Sequence, residues 1–170
     1  SQSVTEASVG SNAKVTAAHG SVQVSAEGNV KQVVAMGAVA GSMGGAAVGG
    51  TVNVGVFDHK VLAKVGDCAE LRAQDRKGGN NVVVSAKAHN ETLLITFAGA
   101  ASAASAAVAG AIPVVVSSSE VLSDIGPHAV VEAGDSIAVS ARADTELYNI
   151  AGSVAGSVAA AGAGATLSTL

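Results

Sequence analysis

The sequence predicts a mainly β fold: a parallel β-helix-like solenoid of about three repeats, with a helix of small residues flanking each repeat. Three observations carry that expectation. First, Ala13-Lys14-Val15-Thr16-Ala17 and Val22-Gln23-Val24-Ser25-Ala26 return as 69–73 with 82–86 and again as 129–133 with 137–141, a spacing of 55 to 60 residues. Second, 49% of the chain is hydrophobic, yet it holds no Trp, one Tyr and two Phe. The apolar fraction is mostly Ala and Val, which suits thin stacked rungs better than a globular centre needing large fillers. Third, uncharged Gly/Ala tracts follow each pair of strands, with small residues at every fourth position. The whole of 1–170 reads as one segment with units near 4–60, 61–120 and 121–170.

Each unit opens with a short alternating apolar run at 4–9, 61–65 and 121–125. A turn and the two recurring strands follow. Period-two alternation puts Ala13, Val15 and Ala17 on one face and Lys14 and Thr16 on the other. The inward columns then read Val15, Leu71, Val131 and Val24, Val84, Val139. The outward columns read Lys14, Glu70, Val130 and Thr16, Arg72, Glu132. The connection between the two strands varies in length, at 18–21, 74–81 and 134–136, and carries Gly, Asp and Asn, which marks a surface loop. The longest copy is the most charged stretch. Its plain reading is a solvated loop, and its sharper one a recognition tip formed by Asp75, Arg76, Lys77 and Asn80.

The fourfold spacing runs through Gly37, Gly41, Gly45 and Gly49 in the first unit, Ala98, Ser102, Ala106 and Gly110 in the second, and Gly152, Gly156, Ala160 and Gly164 in the third. Small residues four apart form one stripe of an α-helix, so these twelve positions are expected to pack helices of roughly 14 to 18 residues. Strands return at 51–56 and 112–116. Packed helices need about 8 to 10 Å, whereas stacked strands advance about 4.8 Å. Two strand layers per unit would reconcile the two spacings.

The formal net charge of −4 is scattered, with no basic run, which argues against nucleic acid. Cys68 is the single cysteine and makes no internal disulfide. Residues 1–10 do not read as a signal peptide, and the repeat is already running at Val4, so the chain is expected to be a piece of something longer.

The succession A-x-V-x-A, a Gly-containing turn, V-x-V-S-A, a tract such as A-G-A-V-A-G-S and a V-N-V strand within 51–56 resembles the repeat regions of very large bacterial surface or secreted proteins. These are the filamentous-haemagglutinin-like and leukotoxin-like adhesins and autotransporter passengers. The resemblance spans essentially the whole chain, although its motifs are compositional. It implies a β-helix-type stalk, secreted or displayed on the bacterial surface. The partners it implies are a host-cell or cell-envelope component and neighbouring repeats of a larger chain.

No reaction is expected. Neither a Walker-type loop nor G-x-G-x-x-G stands between a strand and a helix. His19, His59, His89 and His128 lie far apart in sequence and read as turn or strand-end residues, so no metal is expected, nor any cofactor. A carbohydrate-cleaving β-helix needs two carboxyl groups about 5 to 9.5 Å apart, but Asp58, Asp67, Asp75, Glu91, Asp135 and Asp144 are spread over different loops. Cys68 reads as a small residue at a corner. The alternative function is membrane insertion through the uncharged tracts 33–57, 92–119 and 147–170, each long enough to span a bilayer. It is the weaker reading, because Ala, Gly and Ser supply little drive into lipid.

Overall fold

A computed structural model describes residues 2–74, 79–158 and 162–166. In chain order the strands are β1 (Gln2–Val9), β2 (Lys14–Ala17), β3 (Val22–Ser42), β4 (Ala47–Val65), β5 (Glu70–Ala73), β6 (Val82–Ser102), β7 (Ala107–Ile125), β8 (Val130–Ala133), β9 (Ile137–Ser157) and β10 (Gly162–Thr166). They form sheets in the orders β1-β4-β7-β10, β2-β5-β8 and β3-β6-β9. The recorded registers are parallel. The fold is all-strand with parallel sheets, and the described residues contain no helix.

The stacked columns follow the repeat. Val15 pairs with Leu71 and Leu71 with Val131. Lys14, Glu70 and Val130 form the next column, and Thr16, Arg72 and Glu132 the one beyond. Val22 donates its N–H to the Asn81 carbonyl at 2.9 Å and Val82 to that of Ser136 at 3.0 Å, which keeps β3, β6 and β9 in step as well.

The described residues place strands where the flanking helices were expected. Gly37 and Gly41 lie in β3, Gly49 in β4, Ala98 and Ser102 in β6, Gly110 in β7, Gly152 and Gly156 in β9, and Gly164 in β10. Gly45 and Ala106 occupy the bends between strands. Ala160 lies outside the described residues. The first two tracts are each a strand, a tight bend and a returning strand, and the described part of the third is the end of β9 and then β10. A period of four is twice the period of two, so a fourfold stripe fits one face of a strand as well as one face of a helix. A unit does not place two strand layers between copies: each copy pairs directly with the next, Lys14 with Glu70 and Glu70 with Val130. Nor do the returning strands end where alternation first suggested. Residues 51–56 and 61–65 belong to one continuous β4, and 112–116 and 121–125 to one β7.

The chain forms two compact units, each drawn from three separated segments. The first comprises 1–30, 58–90 and 118–145. Its core is aliphatic: Leu71, Val82, Val84 and Ala86 are wholly buried, with Val61, Ala63 and Val65 beside them. Its turns repeat too. Ala13, Ala69 and Ala129 donate to the carbonyls of Gly10, Gly66 and Gly126 at 3.2 to 3.3 Å, and the third residues, Asn12, Cys68 and His128, have φ of 55 to 59°. That is the type II turn arrangement, in which the third residue takes a left-handed backbone. A Cβ at Gly66 would meet Ser11 N at 2.5 Å, so one turn sits directly on the next.

The second unit comprises 31–57, 91–117 and 146–170. Its interior is mostly methyl groups: Ala47, Ala98, Ala100, Ala107, Ala109 and Ala111 cluster, and Phe57, Leu94 and Val115 form a separate patch. Asn53 Nδ2 donates to Thr96 Oγ1 at 3.2 Å within this interior. A Cβ at Gly49 would collide with the Gly99 carbonyl, so the small residues serve close approach of two backbones within the unit. Gly50, next along β4, points into open space. Gly49→Ala is therefore expected to destabilise the protein by about 1–3 kcal/mol through overpacking. Gly50→Ala should change little; thermal unfolding of the two variants side by side checks this, and equal effects would contradict it.

Candidate functional site

Polar side chains act mainly as rungs between copies. At the variable loop, Gly20 N donates to Asn80 Oδ1 at 3.1 Å, and Ser21 Oγ donates to the Gly79 carbonyl at 3.0 Å while accepting from Asn81 N at 3.1 Å. Asn81 Oδ1 in turn accepts from Ser136 N at 3.2 Å and Ser136 Oγ at 2.9 Å. Asn80, expected at a recognition tip, is instead 3% exposed and ties one loop copy to another. Asp75, Arg76 and Lys77 lie outside the described residues.

At the bends of the Gly/Ala tracts a serine plays the same part. Ser42 Oγ accepts from Gly45 N at 3.0 Å, and Ser102 Oγ accepts from Ser105 N at 3.1 Å while donating to the Gly45 carbonyl of the preceding copy at 2.7 Å. Ser157 Oγ donates to the Ser105 carbonyl. Hydroxyls of this kind satisfy bend amides that no ladder partner reaches. The helical stripe placed Ser102 for its size; its hydroxyl is what the bend uses. The signal lay in the recurrence of Ser42, Ser102 and Ser157 at the ends of the tracts.

Among the described residues, four ion pairs link one copy to the next: Lys14 with Glu70 at 2.9 Å, Lys31 with Glu91 at 2.9 Å, Lys60 with Glu120 at 2.7 Å and Arg72 with Glu132 at 3.5 Å. The cation comes from the earlier copy in every case. Exposed pairs add only about 0–1 kcal/mol each, but a slip of register would break all of them together. Glu70 also binds Arg72 of its own strand. The hydrogen bond from Lys14 holds its carboxyl below the usual carboxylate value; burial opposes it as the next largest effect, and the charges of Arg72 and Lys14 and the hydrogen bond from Arg72 add to the lowering.

Two shallow concavities open on the first unit. One, of roughly 640 Å³, is lined by His19, Gln74, Glu132 and small residues. The other, of roughly 300 Å³, has Glu27, Lys87, His89, Arg142 and Asp144 on its walls. Arg142 grips Asp144 two residues on, Nε to Oδ2 at 2.9 Å and Nη2 to Oδ1 at 3.2 Å, and this contact raises the guanidinium pKa above its ordinary value. These walls can meet a polar partner through hydrogen bonds and charge.

His59 and His89 do not sit at turns or strand ends: both lie well inside strands, in β4 and β6. His59 is 2% exposed with neither ring nitrogen bonded, while His19, His89 and His128 are exposed. Among the described residues no three His, Cys, Asp or Glu side chains gather closely enough to hold a metal. Cys68 sits at a turn, and its thiol is exposed. No family model, curated protein or solved structure matches the chain.

Because the Glu70 pKa is lowered in the folded state, its contribution to stability is present above the unfolded carboxylate value, near 4.5, and is lost as pH falls through the folded value. Glu70→Gln should therefore be less stable than the parent at neutral pH, and their stabilities should converge below about pH 4.5. Denaturant melts from pH 7 to pH 3 check this; curves that stay parallel throughout would count against the Lys14–Glu70–Arg72 ladder.

Proposed function

We propose that the chain is a structural and interaction segment of a bacterial cell-surface adhesin or secreted toxin-like protein, a β-helix-like solenoid that acts as a stalk or as a surface for host contact. The observation that carries this reading is the direct parallel pairing of one sequence copy with the next, with strands, turns and serine bends repeated and ion pairs joining the copies. Side chains with chemical potential are used in that stacking. Glu70, Glu91, Glu120 and Glu132 are each bound to a cation of the preceding copy, so none of these is a free acid or base. The resemblance to haemagglutinin-like and leukotoxin-like repeats agrees with this use of sequence. The natural neighbours of such a segment are further repeats of the same kind.

The membrane-inserting alternative loses its helical form, since no helix among the described residues is long and apolar enough to cross a membrane. A polysaccharide-cleaving reading lacks a free pair of carboxylates at working distance among the ion-paired acids described above.

Beads coated with the purified chain should be retained by host-cell monolayers above the level of albumin-coated beads, and incubation with bacterial or host polysaccharides should release no new reducing ends. Release of reducing ends would overturn the proposal in favour of an enzyme, and retention no greater than that of albumin would remove the contact role.

A further inference from the structure

In the second unit the usual arrangement of a half-buried sheet is reversed. Along 47–57 of β4 the side chains turned inward include Thr51 and Asn53, while those turned outward are Val48, Gly50, Val52, Val54 and Val56. Along 107–116 of β7 the outward set is Val108, Gly110, Ile112, Val114 and Val116. A face in water ordinarily carries the polar half of the alternation. Here it carries none of it.

The two strands are neighbours in one sheet, and the hydrogen bond from Ala47 N to the Ala106 carbonyl at 3.0 Å puts Val48 beside Val108. β10 continues the surface, with Ala163 beside Val108 and Ala165 beside Gly110. The four outward valines of β4 are 56 to 73% exposed, and Val108, Ile112 and Val116 are 39 to 53% exposed. Together they present on the order of 600 Å² of aliphatic surface, the top of the range for the largest patch on a monomer. That is most of the roughly 800 Å² that each partner contributes to a standard protein interface.

Two features select the occupant. Neither 47–57 nor 107–116 contains an Asp, Glu, Lys or Arg, and their one aromatic residue, Phe57, is buried. A face that lies on a membrane has basic or aromatic residues to engage headgroups, and this one has neither. The relief, moreover, is complementary to itself. Gly50 and Gly110 form a notch between the Val48/Val108 ridge and the Val52/Ile112 ridge, and a Cβ at Gly50 would meet nothing within 4 Å. Ridges of β-branched side chains fitting such a notch are what face-to-face sheet packing requires, and a two-fold axis would bring the same ridge and notch together on both sides.

We propose that this outward face of β4 and β7 is a docking surface for the same face of a second copy of the chain, which pairs two chains through a dry sheet-on-sheet contact. The claim does not depend on the adhesin reading, since it rests on the relief and chemistry of one sheet face alone.

Sedimentation of the 170-residue chain between 1 and 100 µM should show a dimer whose dissociation constant changes little with salt, because no charges meet across it. Val52→Asp with Val54→Lys should weaken the dimer at least ~100-fold, as should Gly50→Val, which fills the notch and points to open space in the fold. Far-UV spectra confirm which variants keep their strands; should the double variant fail to fold, Gly50→Val decides the matter. A parent chain that stays monomeric at 100 µM overturns the proposal. So does a dimer that survives Gly50→Val or the folded double variant, since contact would then run through other surfaces such as strand edges. Flotation of the parent chain with neutral phosphatidylcholine vesicles, abolished by the same substitutions, overturns it in favour of lipid.

Discussion

The structure depends on one requirement: the backbone groups of each strand must be met by the strand of another sequence copy. In a parallel ladder the bonds run between different stretches of chain, so no strand is satisfied by its immediate neighbour in sequence. Every repeated feature follows from that. Leu71 is wholly buried because Val15 and Val131 lie on either side of it in one column. Glycine stands at 66 because a turn lies directly against the turn of the copy before. Side chains that would otherwise be decorative become connectors, as Asn80, Asn81 and Ser102 show.

The two units solve the same problem with different side chains. In the first, Val and Leu fill the interior and charged residues take the outside, where Lys14, Lys60, Glu70 and Arg72 form inter-copy pairs. In the second, the alanine cluster and the approach of Gly49 to Gly99 leave little interior room, and along 47–57 and 107–116 the valines and Ile112, Val115 excepted, point outward. The Val columns at 48, 52, 54 and 56 are the result. An exposed aliphatic face is thus a direct consequence of a thin interior, and it leaves this part of the surface suited to contact with something equally dry.

The chemistry of the molecule is correspondingly mechanical. The ionisable groups closest to one another are paired with opposite sign across copies, and Arg142 and Asp144 neutralise each other on the same strand. His59 stands apart as a buried ring with no bonded partner. Buried polar groups are normally satisfied, and among the described residues of the first unit no other side chain shares this condition as fully.

Much of this was readable from residue order. The recurrence of Ala13–Ala17 and Val22–Ala26 determined which positions stack, because identical side chains in a ladder must lie over one another to keep the same face inward. The inward column of Val15, Leu71 and Val131, the outward charges beside it, and the corner position of Cys68 were all legible in that way. The Gly/Ala tracts were not. A stripe of small residues every fourth position satisfies one face of a helix and one face of a strand equally, so periodicity alone could not choose between them. Only the tertiary structure decided it, because a tract becomes a strand when another copy lies close enough to take its hydrogen bonds, as Gly162–Thr166 laddered against 107–111 shows. For the same reason Asn80 changed from a presumed surface residue to a buried tie: a loop's polarity is written in its sequence, but whether it faces water depends on the loop stacked beside it.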